Sequence, residues 1–375
     1  MKLPTLAALL SLAAACSADV DPRDVEPTAD DRSAACLALD ERVAKGVLAI
    51  VNDEATDFDA LDDSVASGGA GLITNAASSI VENRPFEDIA ALDDAPWIGD
   101  ATCRALARWA CNERHACNDE LTVATWNVEH FPKSSATEDG VVSVVDQLAL
   151  DFVGIEEIEA KAPFDRVLAD LPGHHGVLGR AADTRVGAIV RDEALAIVDV
   201  AHLFGNDGWA FPRPVLVVRA QLPAHPEIGD IQLVVVHLKA MTDAESESRR
   251  KSAIVKLRAW IDARRSAGDT NIILLGDFND EIDDVGTHDV FAPLKDPAAK
   301  MIAITESLAD DGEFSFVPFQ RLIDHVLVSE ELLTAFDGAD VRALHLEQTW
   351  NGDYLDDISD HRPVVVTFGV PVRFD

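Results

Sequence analysis

Positive charge is scarce in this chain. It carries 31 Lys and Arg against 67 Asp and Glu, a formal net charge of −36 over 375 residues. That balance repels polyanions at long range and argues against tight nonspecific binding to nucleic acid. It leaves room for a local cationic or metal-filled cleft, and it equally suits a salty medium. No C-x-x-C pair occurs among the five cysteines, and no repeat of solenoid period is present. Beyond the first residues no stretch is long and apolar enough to cross a bilayer. What remains is a hydrophobic content of 48% and a charged content of 26%, values of a soluble globular protein. The length suffices for two domains, each with its own core.

The chain opens MKLPTLAALLSLAAACSAD. A basic start at Lys2, an apolar run over Leu6–Ala15 and small residues leading to Cys16 fit a secretory signal too short to span a membrane. The run before Cys16 resembles a bacterial lipobox, in which the Cys becomes the lipidated first residue. An ordinary signal cleaved nearby is the alternative. Both predict export: lipid-anchored to an outer membrane or cell surface, else periplasmic or secreted. Residues 17–35 are acidic, contain Pro and lack periodic apolar spacing, which predicts a disordered tether.

The remaining cysteines, Cys36, Cys103, Cys111 and Cys117, are even in number and all precede residue 118. In an oxidising compartment they predict two disulfides, with three connectivities open. A zinc site made by all four thiolates is the rival, weakened by the eight-residue step from Cys103 to Cys111.

Residues 36–118 read as a small helical domain. Leu37, Leu39, Val43, Val47 and Ile50 are spaced for one helix face. Asn52, Ala55, Gly71, Ala77, Pro85, Phe86, Ile98 and Gly99 follow in an order that resembles the paired helix-hairpin-helix module of bacterial competence proteins. In that family, hairpin glycines let backbone amides approach DNA phosphates. This copy holds 15 Asp and Glu against 6 Lys and Arg, and Asp100 follows the second hairpin. The charge favours a structural or protein-docking role over DNA binding.

Residues 119–375 are strand-rich. LTVATWNV, DFVGIEEI, VGAIVRD, ALAIVDVAHLF, PVLVVRAQL, IQLVVVHLK, NIILLG, LIDHVLVS and PVVVTFGV read as strands, and VVSVVDQLAL and ESESRRKSAIVKLRAWIDARR as helices. This mixture predicts a layered α/β sandwich around buried sheets. Strand after strand ends in a polar residue: Asn127, then Glu156 and Glu157, His237, Asp277 with Asn279, Asp324 with His325, and Asp360 with His361. One such residue is ordinarily a turn or cap. Six such ends on the edge of one sandwich would gather hard oxygen ligands, an amide and imidazoles into a site for a divalent cation and a phosphate.

In order, T-W-N, G-I-E-E, H-L, G-D-F-N, I-D-H and S-D-H-R-P resemble the endonuclease/exonuclease/phosphatase superfamily. That group includes pancreatic-type deoxyribonuclease, abasic-site endonucleases, sphingomyelinases and inositol-phosphate phosphatases. The resemblance spans residues 120–370 and implies a four-layered α/β sandwich, two packed mixed sheets flanked by helices. It implies Glu157 as main metal ligand with Asn127 beside it and Asp360 completing that side. The ion implied is Mg²⁺, with Mn²⁺ or Ca²⁺ as substitutes. Asp277 would orient or deprotonate the attacking water, and Asn279 would hold the phosphate. His361, oriented by Asp324, would bind the scissile phosphate, and His237 would be general acid or a phosphate contact. Arg213 sits where the deoxyribonuclease branch has a phosphate-contacting Arg.

Three positions depart from the pattern. Glu156 replaces a common Gln and adds a negative charge beside the metal. Glu159 stands where DNA-cleaving relatives place a basic residue. The partner orienting His237 is open among Asp183, Thr184 and Arg185. Elsewhere, Arg249-Arg250-Lys251 reads as a solvated helix face, His174-His175 as loop polarity, and His325 as a packing or capping residue. Phe204, Trp209 and Phe211 form either an exposed aromatic loop or core. The leading expectation is an exported, metal-dependent phosphodiesterase hydrolysing DNA. The alternatives are a phosphatase or sphingomyelinase-like enzyme on lipid headgroups or small phosphoesters, and a non-catalytic surface docking module.

Overall fold

The computed structural model describes residues 36–114, 116–181 and 184–371. Cys16, the segment 17–35 and Asp183 lie outside them. The chain forms two compact units, one ending at Cys117 and the other spanning Asn118–Pro371.

In the first unit, α1 (Glu41–Asn52) starts at Asp40, whose carboxylate accepts from Val43 N, the usual reward for an Asp at a helix N-cap. Val43, Val47 and Ile50 line its buried face. Leu37 and Leu39 precede the helix, and Leu37 is half exposed. The five-residue apolar spacing therefore overran the helix start. Two helix pairs follow: α2 (Phe58–Asp62) with α3 (Thr74–Asn83), and α4 (Ile89–Asp93) with α5 (Asp100–Arg108). Gly68 and Gly71 turn the first pair with positive φ, 85° and 71°, a conformation that favours glycine. Asn52 has a structural task. Its side-chain amide exchanges two hydrogen bonds with the backbone of Phe86, at 2.7 and 2.9 Å. The four cysteines form the pairs Cys36–Cys103 and Cys111–Cys117, so the four-thiolate zinc site is not formed.

Among the described residues the second unit holds twelve strands: β1 (Asp119–Phe131), β2 (Phe152–Ile158), β3 (His174–Leu178), β4 (Arg185–Arg191), β5 (Ala196–Leu203), β6 (Val215–Gln221), β7 (Ile231–His237), β8 (Ile272–Asp277), β9 (Met301–Ala303), β10 (Asp324–Ser329), β11 (Ala339–Ala343) and β12 (Val364–Val370). They make two six-stranded sheets, in orders β11-β12-β1-β2-β4-β3 and β5-β6-β7-β8-β10-β9. Each is mixed, with one parallel pair at its centre, β1 with β2 and β7 with β8.

Inward-facing residues such as Val123, Phe152, Val235, Leu275 and Val326 form the apolar layer between the sheets. Their two-residue spacing is the strand period. A Cβ at Gly154 would come within 3.0–3.1 Å of Leu275 and Val235, so the sheets approach closely there. On the outer faces, α6 (Thr137–Gln147) and α7 (Lys161–Ala169) cover one sheet, and α8 (Ala244–Ser266) covers part of the other. This is the four-layered sandwich. No helix among the described residues is long and apolar enough to cross a membrane.

Two sequence expectations change here, and one left open is resolved. Arg250 on α8 is buried, paired to Asp280, and donates to the carbonyls of Lys239 and Met241. Arg249 donates to the carbonyls of Gly208 and Trp209, and Lys251 to Thr287 O. The basic run is therefore a strut between loops, not a solvated face. His174 and His175 belong to edge strand β3, where His175 pairs with Asp192. Phe211 is core and stacks on Phe204 at 4.3 Å, whereas Trp209 is exposed.

Candidate active site

Strand register does most of the gathering. Asp277, the last residue of β8, lies directly beside His237 at the end of β7 and opposite Asp324 at the start of β10. All three share the inward parity of Val235, Leu275 and Val326, so they crowd one end of the inter-sheet layer. From the facing sheet, Asn127 sends its Nδ2 to Asp277 Oδ2 at 3.0 Å and to Glu157 Oε1 at 3.3 Å.

Glu157 reaches this point through an irregular backbone. The β1–β2 register shifts after Asn127, and Glu129, His130 and Glu157 all have positive φ, 33°, 54° and 64°. A bulge re-aims the side chain that regular alternation would send outward. Asn279 also has positive φ, 55°; its N–H donates to Asp277 Oδ1 at 2.8 Å. Non-glycine residues in this region are uncommon and collect at functional sites.

His361 stands on the other side. Its Nδ1 is 2.7 Å from Asp324 Oδ2, and its Nε2 is 3.8 Å from Asp360 Oδ1. The ring is held from behind. Tyr354 donates to His361 O at 2.6 Å and accepts from Trp126 Nε1 at 3.1 Å, and Ser359 Oγ accepts from His361 N. Phe316 packs on the imidazole at 4.9 Å. Ligand atoms of Asp277, Asp324 and His361 all lie within 4.8 Å of one another. The residues named from the strand ends thus come together, except His325, which bonds Thr305 Oγ1 and the carbonyl of Asp280 instead. Arg213 stands apart from them in hydrogen bonding, donating through Nε to Thr184 Oγ1 at 3.0 Å.

The charges respond to crowding. Burial and the neighbouring Asp324 push Asp277 up to about 7. Burial pushes Asp360 to about 6. His361 resists its burial because Asp324, then Asp277 and Asp360, hold its proton, raising it to about 10. His237 goes the other way: burial first, then the positive charges of Arg213 and His361, hold it well below the ordinary value. One imidazole is therefore cationic and the other neutral near pH 7. His237 Nδ1 has no hydrogen-bond partner among the described residues, while Nε2 lies 3.5 Å from Asp277 and 3.9 Å from Glu157.

Two departures from the family pattern are engaged by neighbouring groups. Glu156 is fully buried, bonded to Thr125 Oγ1 at 3.0 Å, and burial raises it well above the usual carboxylate range. Glu159 is engaged by His130 Nδ1 at 2.6 Å, and the same residue's backbone N–H donates to Glu157 Oε2 at 3.1 Å. His130, Tyr354, Ser359 and Phe316 were missed by sequence reasoning. Only Ser359 carried a signal, as the first letter of S-D-H. His325 packs as expected, between Thr305 Oγ1 and the carbonyl of Asp280.

The donor set fits a hard divalent cation: the carboxylates of Glu157 and Asp277 meet at the Asn127 amide, and Asp360 reaches the group only through His361. Asp324 and His361 suit it less, since they share a proton. Such a sheet-edge constellation on a two-sheet sandwich defines a phosphoester hydrolase class of site. The chain belongs to the Endonuclease/Exonuclease/phosphatase family, matched over residues 124–361.

Solved structures share the fold. A humanized D. rerio TDP2 aligns at TM-score 0.52 and 15% identity, covering 67% of this chain and 99% of its own. C. elegans TDP2 aligns at 0.51 and 13%, covering 67% and 75%. A Bacteroides thetaiotaomicron endonuclease/exonuclease/phosphatase family protein aligns at 0.50 and 15%, covering 68% and 99%. No curated protein matches the chain.

Proposed function

We propose that the second unit is a divalent-metal-dependent phosphodiesterase that cleaves DNA. The observation that carries this reading is the joining of two clusters, Asn127–Glu157–Asp277 and Asp324–His361, at one end of the sandwich. Glu157, Asn127 and Asp360 would hold Mg²⁺. When bound, the ion supplies neutralising charge to the phosphate and its transition state.

The chain's own groups cover the rest. Asp277 orients the attacking water and takes its proton, an assignment favoured by a value near the working pH. Cationic His361 binds a non-bridging phosphate oxygen. Neutral His237 donates a hydrogen bond to the phosphate, not the proton of an imidazolium. Asn279 positions the phosphate, and Arg213 acts at a distance by keeping His237 neutral. Nucleic acid is favoured because Phe319, 75% exposed and stacked on Phe316 beside His361, offers a flat face for a base next to the phosphate. The first unit, whose hairpins resemble those of competence proteins, serves to dock a protein partner. The same exposed Phe319 supports a second reading, hydrolysis of a lipid headgroup phosphoester.

The test offers full-length protein plasmid DNA, single-stranded DNA, RNA, sphingomyelin and bis-p-nitrophenyl phosphate, with Mg²⁺ or EDTA, beside His361→Ala. Plasmid or single-strand cleavage that EDTA and the substitution abolish supports the nuclease. Hydrolysis of sphingomyelin alone selects the second reading. Activity surviving EDTA defeats the mechanism, and silence on every substrate leaves the docking module.

The N-terminal stretch and the two disulfides support export with a lipid anchor at Cys16. Cys16→Ser should then move the protein from the membrane fraction to the soluble one.

A further inference from the structure

At the other end of the second sheet lies a second polar row. Strand register places Asp199 of β5 beside Arg219 of β6, and Arg219 beside Gln232 of β7. Gln232 shares the outward parity of Val234 and Val236, which pack under α8. Five residues separate it from His237, about 16 Å along a strand. The row is therefore remote from the catalytic end and on the opposite face.

Helix α8 does not cover this corner, and a cavity of about 380 Å³ opens between its C-terminal half and strands β5 and β6. Gln232 lines it while only 5% of the residue is exposed; its side-chain amide makes no hydrogen bond within the described residues and meets solvent in the cavity. An amide in a cavity wall that no protein group engages can exchange its water for the edge of a ligand. Arg264 Nε is likewise buried and unpartnered. Trp260 lines the same cavity, with Leu203 and Val217 as apolar wall.

The charges narrow the ligand. Arg219 is paired to Asp230 at 2.8 Å and Arg264 to Asp269 at 3.4 Å, so each guanidinium charge is already offset by a carboxylate, and with Asp199 in the wall the lining offers no surplus positive charge for a phosphate. Asp199 has no ion-pair partner among the described residues. The uncommitted groups are thus an amide, an indole, one N–H donor and one carboxylate.

We propose that this cavity is a binding site for an unphosphorylated purine nucleoside. Gln232 presents the adjacent donor and acceptor that match an adenine edge, and Trp260 gives the ring a π-face. Asp199 accepts from the ribose hydroxyls, as an acidic residue does in dinucleotide sites. The volume falls within the range of small-molecule pockets.

The test is calorimetric titration of the full-length protein with adenosine, adenosine 5′-monophosphate and methyl glucoside. Adenosine should saturate one site that persists in His361→Ala. Gln232→Leu should weaken it about fivefold or more, and Asp199→Ala, on an exposed edge strand, should weaken it without disturbing the circular dichroism spectrum. The monophosphate should bind no tighter than adenosine. Absence of adenosine binding, undiminished binding in both variants, loss in His361→Ala, or preference for methyl glucoside or the monophosphate overturns the assignment.

Discussion

Asp277 and Asp324 face each other as direct partners across the antiparallel strands β8 and β10, two buried carboxylates at one strand end. Such neighbours cannot both carry full charge cheaply. Asp324 resolves the conflict by sharing the proton of His361, and Asp277 bears the rest as a raised value. Asp324→Asn keeps the shape and removes the charge. His361 should then fall from about 10 toward its ordinary range, read by NMR titration of its ring. Turnover should drop by about 10³–10⁴, by analogy with loss of the orienting carboxylate in a catalytic triad.

The same pair makes stability depend on pH. The folded value of His361, about 10, lies above the unfolded value of about 6.5. Its stabilising contribution is complete below the unfolded value and is lost as pH rises through the folded one. In EDTA, the melting-temperature gap between wild type and His361→Ala should narrow steadily from about pH 6.5 to about pH 10. A gap that widens over this range would refute the pairing.

Gly276 is the residue that lets β8 deliver Asp277. Its φ is 147°, and a Cβ would stand 2.0 Å from Val236 O. Backbone cannot yield as a flexible side chain can. Gly276→Ala should therefore cost about 1–3 kcal/mol of stability and shift Asp277 away from Asn127. Urea titration and kcat together check this, and an unchanged kcat would show that the close approach is dispensable.

Arg250 and Asp280 are buried together, at 4% and 3% exposure, joined at 2.5 Å. Removing one partner leaves the other charge unpaired, at a cost of about 3–5 kcal/mol. Arg250→Met alone should destabilise by that amount, and the double variant Arg250→Met with Asp280→Leu by less. Equal losses would mean that the helix strut acts through packing, not charge.

Nine of the twelve strands were legible as apolar runs. The three that were not, β3, β9 and β11, all end a sheet in the strand order. An edge strand is solvated on more of its surface, so it needs less apolar sequence to persist; HHGVL and ADVRA have little, and MIA is only three residues long. The candidate site residues were legible because strand ends repeated a pattern of carboxylate, amide and imidazole. Their supports were not. Tyr354 and Phe316 act through tertiary contacts that no local spacing records, and the task of Arg250 depends on loops distant in the chain. The upward shift of Glu156 is a consequence of burial, which a string of letters cannot measure.

The bond from Asn127 to Asp277 crosses between the two sheets, and 150 residues separate its ends. No fragment that forms only one sheet possesses the site. Recovery of cleavage during refolding should consequently lag every spectroscopic sign of strand formation, so turnover can serve as a clock for the final docking of the two halves.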